Sequence, residues 1–149
     1  NHYYHSYEWP YKNIKPKIIC EKFIESPNNS SVTDYKLFCF MGKVHYILVC
    51  SDRSTELKRD ISDINWNKID FFWKGNTHTK KVKKPKCLDK MISYAEKLAK
   101  PFPFVRVDLY ENTNKILFGE MTFYPSNGTA PFKPIEWDYK LGKLIKLPT

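Results

Sequence analysis

The chain has 149 residues, 42% of them hydrophobic and 16% aromatic, with a formal net charge of +9, which is one domain's worth of polypeptide able to bury a core and excludes a disordered tail. Its longest apolar runs, such as "YILVC" at 46–50, fall far short of the roughly 20 residues of a membrane-spanning helix. No charged-then-apolar leader precedes them, so a soluble chain without membrane insertion is expected.

The sequence opens on "NHYYHSYEWPY" without an initiating Met and is expected to be a processed product or a part of something longer. Cys20, Cys39, Cys50 and Cys87 show no metal-ligand spacing, and the first three lie in apolar, strand-like runs, which points to reduced, structural thiols. A bacterial, cytoplasmic location fits this usage best.

In chain order, "KPKIICEKFI" at 15–24 reads as a strand, followed by a loop rich in turn formers. The run "DYKLFCFMGKVHYILVCSDR" reads as two strands joined in a tight hairpin at Met41-Gly42, where glycine supplies a positive φ. Strict alternation puts Tyr35, Leu37, Cys39, Val44, Tyr46, Leu48 and Cys50 on one face, with Asp34, Lys36, Lys43 and His45 on the other. The first face is core, and the second is either a solvated side or the wall of a cleft.

Residues 54–76 read as strand or irregular structure. They lead into the basic run "KGNTHTKKVKKPK" at 74–86. Such a run can contact a phosphate backbone, but no aromatics are interleaved with its lysines and no nucleic-acid-binding pattern surrounds it. A solvated loop is the favoured reading, and no specific nucleic-acid partner is expected.

After Pro85 the period changes, and Leu88, Met91, Ile92, Ala95 and Leu98 fall at helical spacing up to Pro101 and Pro103. "FKPIEWDYKLGKLIKL" reads as a short C-terminal helix packing Trp137, Leu141 and Leu144. None of the five glycines forms a dinucleotide fingerprint or a P-loop, so a triphosphate would have to be held another way.

The hairpin "FVRVDLYENTNKILFGEMTFYPSNG" at 104–128 carries the chemistry. An odd-length loop around residues 112–114 pairs Glu111 with Lys115, sets Arg106 opposite Glu120 and Asp108 opposite Phe118, and turns both carboxylates into one space. Two hard oxygen ligands beside an arginine suit a Mg²⁺ that keeps some waters and bridges phosphates. A surface Arg106–Glu120 salt bridge, contributing about 0–1 kcal/mol, fits the same residues.

The strings "EWPYKNIKPKIICEKFI", "DYKLFCFMGK", "PFPFVRVDLYE" and "EMTFYPSNG", spread over nearly the whole chain in this order, are similar to the TupA-like family of the ATP-grasp superfamily, associated with bacterial cell-surface polysaccharide and teichuronopeptide synthesis. The resemblance implies an α+β fold, the C-terminal part of an ATP-grasp unit with a largely antiparallel sheet and packed helices, occupying 1–149 as a single domain without the nucleotide-binding N-terminal half. It implies ATP and Mg²⁺ as cofactors, with Asp108, Glu120 and Thr122 at the metal and Arg106 stabilising the phosphoryl group in flight. Backbone groups of Glu21, Lys22, Phe23 and Ile24 would pair with adenine, Asp34 would meet the ribose and Lys36 would reach phosphates. Thr122 stands where the superfamily has Asn, and Ser126-Asn127-Gly128 replaces a direct Pro-Gly.

The implied activity is carboxylate–amine ligation through an acylphosphate, with an unidentified carboxylate, amine or sugar acceptor; the fragment alone is expected to be inactive. A glycosyltransferase of a polysaccharide pathway and a non-catalytic basic binding module are the alternatives.

Overall fold

The computed structural model describes residues 8–24, 32–51, 57–71, 73, 82–113 and 115–147. Most of the basic run lies outside them. Among the described residues five strands form one antiparallel sheet: β1 (Asp34–Phe40), β2 (Lys43–Ser51), β3 (Lys58–Asp63), β4 (Phe104–Asn112) and β5 (Lys115–Thr122). They lie side by side in the order β3-β2-β1-β4-β5. Among the described residues two α-helices complete the α+β architecture, α1 (Leu88–Ala99) and α2 (Glu136–Gly142).

The β1–β2 hairpin turns at Met41 and Gly42, both at positive φ (50° and 75°), as a two-residue turn matched to strand twist requires. Its facing pattern differs from strict alternation, because the register shifts between Phe38 and Cys39 and leaves His45 as an extra residue. Tyr35, Leu37, Cys39 and Val44 therefore share a face with Ile47 and Val49, while Tyr46, Leu48 and Cys50 turn to the opposite one with Phe38 and Phe40. Neither face is left bare.

α1 covers the first face. Leu88, Met91, Ala95 and Ala99, spaced for a 3.6-residue period, pack on Val105, Val107 and Leu109 of β4. Leu98, expected in this stripe, is instead exposed, since the apolar row winds on to Ala99. Over the second face lie Phe71, Trp73, Phe132 and α2, whose Leu141 is buried and whose Trp137 packs alongside with Leu144.

The expected strand at 15–24 does not form: these residues lie outside the sheet, and Ile18 and Phe23 are almost fully exposed. An apolar run becomes a strand only where a neighbour accepts its backbone groups, and β3 and β5, the two edges, take none of it. Cys20 is accordingly exposed, against the expectation of a buried thiol, whereas Cys39 and Cys50 are core residues, and no disulfide forms.

The β4–β5 hairpin reaches its register by two departures from the expected loop. The turn has two residues, pairing Asn112 with Lys115 rather than Glu111 with Lys115, with Thr113 at φ 49°. A bulge beyond Leu109↔Phe118 then adds a residue to β5, so Asp108 faces Glu120 and Arg106 faces Thr122. Each change alone would flip the side chains of one strand; together they restore a common face.

Gly119 is the extra residue. A Cβ there would lie 2.8 Å from Cε2 of Tyr110 and 3.0 Å from the carbonyl oxygen of Asp108. Gly119→Ala is therefore expected to destabilise the fold by about 1–3 kcal/mol, as overpacking does, in urea unfolding. A variant as stable as wild type would show that the bulge accommodates a side chain.

Candidate active site: a buried ionic cluster on the sheet

β1, β4 and β5 bring six polar side chains to the second face. Lys36 pairs across with Asp108, and Asp108 with Glu120, so three adjacent strands present cation, anion and anion in a row. Asp34 and Arg106 stand two residues along on the same face.

Arg106 is the hub. Its Nε donates to Oδ1 of Asp108 at 2.7 Å and its Nη2 to Oδ2 at 2.8 Å. The same Nη2 reaches Glu120 Oε1 at 2.7 Å and Thr122 Oγ1 at 2.9 Å. Lys36 closes the other side, with its Nζ bonded to Asp108 Oδ2 and 2.6 Å from Asp34 Oδ2. Asp34, Arg106 and Asp108 are all buried, whereas 61% of the Glu120 side chain meets solvent.

Three carboxylates surround two cations, leaving one net negative charge. Burial pushes the Asp108 carboxyl above the ordinary aspartate value, against the pull of Arg106 and then Lys36. Burial acts in the same direction on Glu120, but the Thr122 hydroxyl and the Arg106 and Lys36 charges hold it below the usual range. Burial works against the charge of Arg106 and of Lys36, yet their carboxylate partners keep both above their ordinary values.

The structure thus gathers Asp34, Lys36, Arg106, Asp108, Glu120 and Thr122, and leaves Glu21, Lys22, Phe23 and Ile24 in the exposed stretch outside the sheet. Asp34, expected at a ribose, is fully buried against Lys36 and presents no surface to a sugar. Thr122 donates its hydroxyl to Glu120 Oε1 at 2.8 Å and accepts from Arg106, so it orients its neighbours rather than facing an open coordination position.

Tyr11 and Glu8 join the rim without having been singled out from sequence. The turn Trp9–Tyr11 sets the Tyr11 ring edge-on to Phe123, 6.3 Å between centroids. Burial raises the Tyr11 phenol, the Phe123 backbone lowers it, and Glu8, Glu120 and Arg106 act on it electrostatically. Only the apolar character of "WPY" hinted at this docking.

Among the described residues no group of three or more His, Cys, Asp or Glu side chains is placed to hold a metal by itself. Asp108 and Glu120 nevertheless fit the carboxylate share of a Mg²⁺ site completed by waters and phosphate oxygens. For Asp108 to serve, Arg106 or Lys36 must exchange it for another anion, and a polyphosphate is one.

The α+β sheet carries Arg-x-Asp on β4 and a Glu facing that Asp on β5. The chain belongs to the TupA-like ATP-grasp family: the family model described as TupA-like ATPgrasp matches residues 1–146. No curated protein and no solved structure gives a significant match to the chain. Among the described residues no helix is long and apolar enough to cross a membrane.

Replacing Arg106 by Gln strands Asp108 with Lys36 alone and is expected to destabilise the protein by about 3–5 kcal/mol, as removal of one partner from a buried pair does. An unchanged denaturation midpoint would remove Arg106 from the hub.

The opposite pKa directions give a second expectation. Between the ordinary aspartate range and its raised value, the folded state holds more protons at Asp108 than the unfolded state, so this carboxyl's contribution falls as pH rises through that window. Glu120 contributes stability above the ordinary glutamate range, lost as pH falls through its depressed value. Carboxyl ¹³C titration should show Asp108 ionising above and Glu120 below its ordinary value in free peptides, and a shift in the opposite direction at either carboxyl would contradict its assignment.

Proposed function

We propose that the protein is an ATP- and Mg²⁺-dependent ligase that joins a carboxylate to an amine through an acylphosphate. The observation that carries this reading is the Arg106–Asp108–Glu120 constellation within a chain of the ATP-grasp family. A substrate carboxylate oxygen would attack the γ-phosphorus as ADP leaves. The amine would then attack the carbonyl carbon, lose a proton and expel phosphate.

Phosphoryl transfer of this kind depends on positioning and on stabilising charge as it develops, with little covalent work for the protein. Lys36 and Arg106, both held in fixed directions by carboxylates, would rebind to phosphate oxygens, and the bidentate geometry of guanidinium suits the transferring group. That exchange would free oxygens of Asp108 and Glu120 for the cation. Mg²⁺, when bound there, supplies neutralisation of the phosphate charge. Asp34 would keep Lys36 directed into the site.

Adenine at Glu21 to Ile24 remains part of the proposal, and that exposed stretch would have to be ordered by the nucleotide or by another part of the protein. A role in cell-surface polysaccharide synthesis rests on the family resemblance alone, and a cytoplasmic location on the reduced cysteines.

The test is Glu120→Gln in the full-length protein, which keeps shape but removes a hard anionic ligand. Because Glu120 is largely exposed, thermal stability should hardly change, whereas Mg·ATP affinity by calorimetry should fall at least about tenfold, roughly 1.4 kcal/mol. Phosphate release should be lost with it. Wild-type affinity and turnover in the variant would refute a metal role for Glu120.

A further inference from the structure

Beside the ionic cluster, the same face of the sheet carries a cavity of about 200 Å³ that the reading above does not use. Its walls include Phe38, Phe40, Trp73, Phe104 and Phe132, and Asp138 also lines it. Phe38 is the direct strand partner of Arg106, so the cavity begins one strand from the hub. Its rim includes Pro125 and Gly128, reached by the chain directly after Thr122.

We propose that this cavity binds the ammonium group of the amine substrate, with a ring or short hydrocarbon arm against the aromatic walls. Aromatic faces carry partial negative charge and attract a cation placed over them, most strongly when water is excluded. Asp138 supplies a full charge of the required sign; its Oδ1 accepts from the Phe132 backbone N–H at 3.3 Å, which fixes its direction and leaves acceptor capacity. The charges of Arg106 and Lys36 in the neighbouring cluster are more than balanced by its three carboxylates. The size fits as well, since a cavity of roughly 150 Å³ accommodates benzene, so this one takes a single ring with a one-carbon arm.

The Trp73 indole N–H, bonded to the Ala130 carbonyl at 3.3 Å, provides a reporter in the wall. The proposal deepens the ligase reading, and only the identification of the bound group as the amine that attacks, after the ammonium has given up a proton to solvent, rests on it.

The experiment is an NMR titration of the full-length protein without ATP or Mg²⁺, following the Trp73 indole cross-peak. Benzylamine, cationic at neutral pH, should shift it saturably and bind at least about tenfold more tightly than benzyl alcohol or benzoate. Asp138→Asn retains the oxygen that accepts from Phe132 and should remove most of that preference, with the rest of the spectrum unchanged. Phe132→Leu, which keeps an apolar wall but removes a π face, should weaken benzylamine and spare benzyl alcohol. Equal affinity for the amine and the alcohol, preference for benzoate, absence of any shift, or full preference retained in both variants would overturn the proposal. Because nucleotide is absent, loss of the ligase reading would leave amine binding intact, and loss of amine binding would leave the effect of Glu120→Gln on Mg·ATP untouched.

Discussion

The bidentate Arg106–Asp108 pair is the constraint around which the second face of the sheet is organised. Both groups are buried, and two charges removed from water are tolerable only when their remaining hydrogen-bonding capacity is met. Arg106 meets it through Glu120 and Thr122, and Asp108 through Lys36, which is held in turn by Asp34. Five strand positions are thereby tied to one guanidinium. The arrangement also explains why a hairpin that could have been plainly apolar carries charge at its centre.

That network depends on backbone geometry immediately beside it. The bulge at Gly119 brings Glu120 opposite Asp108, and the close approach of Tyr110 and the Asp108 carbonyl leaves room there for no side chain. A second irregularity, between Phe38 and Cys39, divides the β1–β2 hairpin so that aromatic groups fall on the ionic face while Ile47 and Val49 fill the core under α1. Both bulges place side chains where strict alternation would not.

The two faces do different work. Under α1 the sheet is apolar, mostly aliphatic with Tyr35 and Trp66 among its buried side chains, and its packing fixes the strands. On the other face an ionic end adjoins an aromatic end, and the boundary runs through the Phe38–Arg106 strand pair. Charged and apolar recognition can therefore be combined within a few ångströms on a rigid element, which is what alignment of two substrates with a phosphoryl group demands.

From sequence alone, the family, the α+β class, the Met41-Gly42 hairpin, the α1 stripe and the grouping of Arg106, Asp108 and Glu120 could be read, because period, turn chemistry and motif order are local properties. The expected pairing of Glu111 with Lys115 gave the right common face through a register that the chain does not adopt. The turn is one residue shorter, and a bulge that no local rule announces compensates for it. Tertiary structure alone decided that 15–24 stays outside the sheet, since strand formation needs a partner and not only apolar residues. It also decided that Asp34 faces Lys36 in the interior, that Trp73, Phe132 and Asp138 meet around one cavity, and that Tyr11 docks beside Phe123. Each of these depends on contacts between residues far apart in the chain, whose geometry is fixed only when the sheet and its covering layers close together.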